Sequence, residues 1–310
     1  MAESHRVPTL SHRLEYAATR AAVGVLRLVN WRVASAAGAF LGRLAYRPFG
    51  IRRGVTERQI AAAFPNLSSA DVAVMARRSF ESLGRTFIEA AVLPGTSREE
   101  ILARYERVDG WEHLEAARTK GKGVILVTGH LGNWELGGAF VSAKGVPFDA
   151  VTRGMANPLM EEYVGRTRHE IGMEVIHDSD AVRKTPRALR EERVIAMVSD
   201  HDALGLASTF VPFFGRPAKT PRGPAVFALR LGVPLVFVVS VREPSGRYAL
   251  LLEPIVVAET GEREADVDAI VLAYTQQLER FIQRYPAQYF WQHRRWRRQP
   301  PDTPPHLGEP

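Results

Sequence analysis

From residue 123 onward the chain alternates short, almost wholly apolar runs with stretches of helical periodicity. The runs Gly123–Thr128 (GVILVT), Phe148–Thr152 (FDAVT), Met173–Ile176, Val194–Ser199 (VIAMVS), Val233–Val241 (VPLVFVVSV) and Tyr248–Leu252 read as strands. Helical candidates lie near Glu112–Arg118, Trp134–Lys144, Pro158–Ile171, Ala181–Glu191, Pro224–Leu231 and Asp266–Tyr285, and upstream over Ser69–Val92, closed by Leu93-Pro94-Gly95. Strands that are apolar on both faces and alternate with helices predict a single α/β domain with a mostly parallel central sheet flanked by helices. The last two strands, separated by Glu243-Pro244-Ser245-Gly246, read as an antiparallel hairpin at one side.

The first part of the chain has a different pattern. Leu14–Tyr46 is rich in Ala, Val and Leu and reads as a helix stopped by Pro48 and Gly50, with Arg13, Arg20 and Arg27 repeating on one side. Its longest charge-free stretch, Val33–Gly42, is about half of what crosses a bilayer, and arginines inside the apolar region fit a cleavable leader poorly. The boundaries expected are a basic N-terminal amphipathic helical arm over 1–58, the α/β domain over 59–299 and a loose tail over 300–310.

Charge gives the arm a direction. Residues 1–58 hold ten arginines against three acids, which accounts for the whole net charge of +7 of the 310-residue chain. Arginines on a helix that also carries Trp and Leu suit an anionic membrane surface. Two alternatives stand beside this: an amphipathic helix packed on the domain with solvated arginines, and a nucleic-acid-binding helix. The last lacks the polar and interleaved aromatic side chains that read or stack bases, so no nucleic acid is expected. The chain has no cysteine, so thiol chemistry is excluded.

Candidate chemistry sits where strands end. Thr128-Gly129-His130-Leu131-Gly132-Asn133-Trp134-Glu135 follows the first apolar run; Gly132 and Asn133 are turn and cap residues that start a helix. With His130 in the turn, Glu135 comes within reach of it, and a carboxylate on one ring nitrogen makes the other a general base. Asp200, after the Val194–Ser199 run, competes for that orienting role. Backbone N–H groups around Gly132–Trp134 are candidates for holding an oxyanion. Asp200, His201 and Asp202 also invite a metal reading, but adjacent residues seldom converge on one ion, and no metal is expected.

The GHLGNWE string resembles the H-x4-D/E block of the glycerolipid acyltransferase superfamily, in the version carried by the lipid A biosynthesis late acyltransferases. The likeness continues in register through Val151-Thr152-Arg153 with Asn157-Pro158, and through Ser199-Asp200-His201-Asp202, where relatives usually carry Gln in place of His201. It extends over Phe210–Thr220, Gly232-Val233-Pro234 and the closing Phe290-Trp291-Gln292-His293-Arg294-Arg295-Trp296. The resemblance implies transfer of a fatty acyl group from a thioester, acyl carrier protein or coenzyme A acting as co-substrate with no other cofactor, to a hydroxyl of a glycolipid or lysolipid. It implies His130 as base, Glu135 or Asp200 as its partner, and Asn133, Arg153, Phe213, Gly215, Thr220 and Arg222 as substrate-binding residues. Arg153 is the candidate phosphate grip, the Phe213 turn a candidate acyl-channel lining, and Arg294–Arg298 either a lipid-surface patch or a set of ties to the core. The expected location is the cytoplasmic face of a bacterial inner membrane. A phosphatidylinositol mannoside or lysophospholipid as acceptor, or an inactive lipid- or nucleic-acid-binding protein on the same scaffold, are the other readings.

Overall fold

The apolar runs become the middle of one sheet. In the computed structural model, which describes residues 7–202 and 205–310, strands β1 (Tyr105–Asp109), β2 (Val124–Thr128), β3 (Phe148–Thr152), β4 (Met173–His177), β5 (Val194–Val198), β8 (Leu235–Arg242) and β9 (Tyr248–Pro254) form a sheet ordered β1-β9-β8-β2-β5-β3-β4. β2 pairs in parallel with β5 from Val124↔Val194 to Thr128↔Val198 and with β8 on its other side. Every residue of β2 is buried because helices cover both faces, which is why the run is continuously apolar and not alternating.

One face is covered by α5 (Arg98–Ala103), α6 (Trp111–Arg118) and α7 (Trp134–Ala143), with Leu114, Leu136 and Phe140 in its core. On the other face, α3 (Arg53–Ala63), α4 (Ser69–Val92), α10 (Gly223–Leu231) and α11 (Arg263–Arg284) pack with Trp291 and Trp296. Helices α8 (Pro158–Glu170) and α9 (Ala181–Arg190) complete the parallel crossovers. The α/β class and the mostly parallel sheet are as the sequence pattern predicts.

Three elements differ from the sequence reading. The strand β1, Tyr-Glu-Arg-Val-Asp, is exposed at four of its five positions and shows no apolar run; it pairs in parallel with β9, so the β8–β9 hairpin is not at the sheet edge. A separate antiparallel pair, β6 (Ser208–Phe213) and β7 (Arg216–Pro221), is masked in the sequence by Pro212, Pro217 and Pro221. The expected single N-terminal helix is two, α1 (Leu10–Leu26) and α2 (Trp31–Tyr46), because the Asn30 side chain accepts from Val33 N–H at 3.0 Å and starts a new helix.

The two N-terminal helices are held differently. α2 lies backbone to backbone on α4: a Cβ on Gly42 would stand 2.0 Å from the Phe80 carbonyl oxygen, and one on Gly84 2.1 Å from that of Gly38. α1 is tied mainly to α8, where Asn157 Nδ2 donates to the His12 carbonyl at 3.0 Å and Tyr16 meets Tyr163 edge to face. At the other end, residues 300–310 reach back to the body, with Arg216 Nη1 donating to the Gly308 carbonyl at 2.9 Å and Arg58 Nε to that of Pro310 at 3.2 Å. Among the described residues no helix is long and apolar enough to cross a membrane.

Candidate active site

β2 and β5 are neighbours in register, so the residues just beyond them, His130 and Asp200, emerge side by side. Asp200 Oδ1 lies 2.7 Å from His130 Nδ1, while its Oδ2 accepts the His130 backbone N–H at 3.1 Å. One carboxylate thereby fixes both the ring and the main chain of the same residue. Burial alone would raise the Asp200 carboxyl, but His130 and His201 beside it and the two hydrogen bonds from His130 hold it well below the usual carboxylate range. With Nδ1 engaged, Nε2 of His130 has no hydrogen-bond partner among the described residues, and its side chain keeps 20% of its exposure.

The loop geometry comes from its glycines and its cap. Gly132 has φ +69° and sits where a Cβ would be 2.0 Å from the Ser240 carbonyl oxygen, so no other residue fits. Asn133 then caps α7, its side chain accepting from Leu136 N–H at 3.0 Å. The N–H groups of Gly132 and Asn133 already donate to Gln288 and Ser240 carbonyls. Of the stretch expected to offer N–H groups to an oxyanion, Gly132 and Asn133 are thus engaged, and the unengaged amides are those of Trp134 and Glu135, the first two residues of α7, whose N–H groups have no acceptor within the helix.

Glu135 is turned away from His130. It forms a two-pronged pair with Arg168 of α8, Nε to Oε2 at 3.0 Å and Nη2 to Oε1, and so ties α7 to α8. Burial alone would lower the Arg168 guanidinium, but Glu135 keeps it above its ordinary value.

The other candidates separate into surface and core. Arg153 stands exposed just past β3, at the same carboxyl end of the parallel strands as His130. Asn133 is fully buried and donates to Glu89 Oε2 at 2.9 Å, within a cluster that also contains Arg242 and Tyr248. Phe213 is fully buried against Trp296 and Tyr289, and Phe214 with Gly215 forms a two-residue turn with φ +49° and +72°, the twist that tight hairpins favour. Thr220, also buried, accepts from Arg295 Nη2 at 2.6 Å, and Arg222 pairs with Glu264 at 2.7 Å. Arg295 itself is 1% exposed and its Nη1 donates to the Lys219 carbonyl, so it is a tie to the core; Arg298 pairs with Asp202, and Arg294 with Glu309.

The side chains that flank the His130 ring were assigned no role from the sequence. The rings of His130, His201 and His293 stack in that order, with centroids 3.7 and 3.8 Å apart and planes within 10°. Burial lowers the middle ring of this column, His201, well below 6.5 and the far one, His293, to about 4. Trp134 closes the other side of His130 edge-on at 4.8 Å. The His293 signal was present in the closing W-x-H-R-R-W signature but had no assigned place. His130, Asp200 and His201 also bring donor atoms within 4.8 Å of one another. Parallel rings direct their lone pairs side by side, and both Asp200 oxygens accept hydrogen bonds from His130, which is an arrangement for hydrogen bonding and not for convergence on an ion.

A histidine and a carboxylate paired just beyond the ends of adjacent central strands of an α/β sheet form an arrangement suited to acid–base chemistry. A sequence model described as bacterial lipid A biosynthesis acyltransferase matches residues 5–298, and the chain belongs to that family of acyltransferases. It is 29% identical over 289 residues to the lipid A biosynthesis lauroyltransferase of Escherichia coli K12, covering 91% of this chain and 92% of that protein. The palmitoleoyltransferase of lipid A biosynthesis from the same organism is 28% identical over 85% of this chain and 84% of its own. The phosphatidylinositol mannoside acyltransferase of Mycobacterium tuberculosis H37Rv is 30% identical over 163 residues, 51% of each chain.

Proposed function

We propose that the protein is a peripheral membrane O-acyltransferase that moves a fatty acyl chain from a thioester of acyl carrier protein or coenzyme A to a hydroxyl of a glycolipid such as a lipid A precursor. The observation that carries this reading is the His130–Asp200 contact at 2.7 Å, which leaves Nε2 open toward solvent at the carboxyl end of the sheet. Nε2 takes the proton of the acceptor hydroxyl as the alkoxide attacks the thioester carbonyl. The tetrahedral intermediate carries its negative charge beside the Trp134 and Glu135 amides, then collapses with cleavage of the C–S bond, and the departing thiolate takes the proton from His130. No acyl-enzyme is formed, consistent with a chain that has no cysteine.

The membrane reading is supported by where apolar side chains are left uncovered. Among the described residues, eleven of the nineteen large exposed apolar side chains, including Val25, Leu28, Phe40 and Leu41, lie between Val7 and Ile51, in the same segment as the basic excess. The inner membrane is the location this implies, and the partial likeness to a phosphatidylinositol mannoside acyltransferase supports a mannosylated phosphoinositide as the alternative acceptor.

Turnover with labelled acyl carrier protein and acyl coenzyme A, each offered with lipid extract and read by mass spectrometry, tests donor and acceptor together. His130→Ala is expected to lower turnover by about 10²–10⁴-fold. A variant that keeps the original rate would remove His130 as the base.

A further inference from the structure

Away from His130, the α1–α2 turn, the α4–α5 connection and the β8–β9 turn enclose two clefts, of about 700 and 470 Å³, that share Trp31, Arg32 and Arg104. Their walls carry six arginines, Arg27, Arg32, Arg85, Arg104, Arg242 and Arg247. Among the described residues only Arg242 has a carboxylate partner, Glu89. Arg85 donates to the Ser35 hydroxyl, and Arg247 to the Ala103 and Tyr105 carbonyls, which are neutral; of the two carboxylates in the same walls, Glu243 is paired with Arg107 and Glu100 accepts the Ser97 N–H, so six arginines face two acids and the lining keeps an excess of positive charge.

Arg104 points most directly to a ligand. Its guanidinium stacks over Trp31 at 4.3 Å, and its Nε is buried with no acceptor. Burial lowers its ordinary value, so the charge is held there at a cost that an anion would offset. Beside the cleft mouth the turn between the first two helices exposes Val25, Leu28, Val29 and Val33, at 65%, 85%, 41% and 50%.

We propose that this groove is a binding site for the phosphate headgroup of an anionic lipid, separate from the acyl-transfer centre, with the lipid's chains lying along the apolar turn. Arginines in a concave wall chelate phosphate oxygens in pairs, and the adjoining apolar turn selects a phosphate that carries hydrocarbon. A carrier protein would instead need a convex or flat basic face, and these clefts are recessed. The proposal rests on the membrane reading above and gives it a discrete headgroup site.

Isothermal titration of the full chain with monomeric dihexanoyl phosphatidic acid, dihexanoyl phosphatidylcholine and inorganic phosphate tests it with no acyl donor present, so it is independent of turnover. Phosphatidic acid is expected to bind and phosphatidylcholine to bind at least tenfold more weakly. R27E/R32E, at exposed positions, and Arg104→Gln, checked for folding by circular dichroism, are each expected to weaken phosphatidic acid at least tenfold. Competition by inorganic phosphate would show that the phosphate alone is recognised; phosphatidic acid bound without such competition would show that the chains contribute. Equal binding of the two lipids, or unchanged binding of phosphatidic acid by R27E/R32E, would overturn the proposal. Absence of acyl transfer in the unaltered protein would instead overturn the catalytic reading and leave this one standing.

Discussion

The imidazole of His201 lies flat on that of His130, 3.7 Å between centroids, and its other face is covered by His293. Burial keeps His201 and His293 uncharged at neutral pH, so under the proposed mechanism a protonated His130 would meet a neutral π face and not a second cation. The same burial makes the fold acid-sensitive. Once unfolded, these rings bind protons at their ordinary value of 6.5, whereas folded His293 resists until about 4. The unfolded chain takes up protons first, so stability falls as pH drops below 6.5. Urea unfolding at pH 7.5 and 5.0 is expected to differ by about 1–3 kcal/mol, and by less in His201→Gln. Asp200, depressed below the carboxylate range, loses its contribution only at lower pH. Equal stability at the two pH values would refute the assignment.

Asp200, not Glu135, is the carboxylate on His130, and the two substitutions are expected to fail differently. Asp200→Asn keeps the shape but removes the charge that would stabilise a protonated His130, and turnover should fall by about 10²-fold or more, beyond what any loss of the carboxylate's contribution to stability explains. Glu135→Gln strands the Arg168 guanidinium between two helices, which should cost about 1–3 kcal/mol in stability while turnover stays within about tenfold. A larger turnover loss in Glu135→Gln than in Asp200→Asn would reverse the roles.

The difference between what was legible and what was not lies in the range of the interactions. β2 and β5 are continuous apolar runs, and the cap at Asn133 is local, so the position of His130 at a strand end could be read directly. The direction of Glu135 could not, because its partner Arg168 lies 33 residues away on a helix whose rotation no local pattern fixes. β1 was hidden because an edge strand with polar residues lacks an apolar run, and the β6–β7 hairpin because prolines normally mark the absence of strands. Thr220 and Phe213 are polar and aromatic members of a recognisable block, but the block builds a core around Arg295, 75 residues further on.

The contact between α2 and α4 depends on absent side chains. In an ordinary helix Gly→Ala stabilises by about 1 kcal/mol, but a Cβ at Gly42 would stand 2.0 Å from the Phe80 carbonyl oxygen. Gly42→Ala is therefore expected to destabilise by about 1–3 kcal/mol in chemical denaturation, with the sign itself diagnostic. Gly24, with nothing within 4 Å of its virtual Cβ, is the control, and Gly24→Ala should be neutral or stabilising. Equal effects at the two sites would mean the helices do not approach so closely.

Charge and apolar contact can be separated at the first helical turn. Val25 and Leu28 are 65% and 85% exposed, and immersing them in lipid should contribute about 1–2 kcal/mol each, a term that salt does not screen. The arginines of the same segment act through a potential whose range contracts to about 3–5 Å at 0.5–1 M salt. Flotation with phosphatidylglycerol vesicles should therefore retain the unaltered protein at both low and high salt. Val25→Ser with Leu28→Ser should float at low salt, where the arginines suffice, and be released by at least tenfold at high salt. Release of the unaltered protein by salt alone would make the attraction purely electrostatic, and retention of the double variant at high salt would move the inserted surface to the exposed apolar residues that follow, Val29, Val33, Phe40 and Leu41.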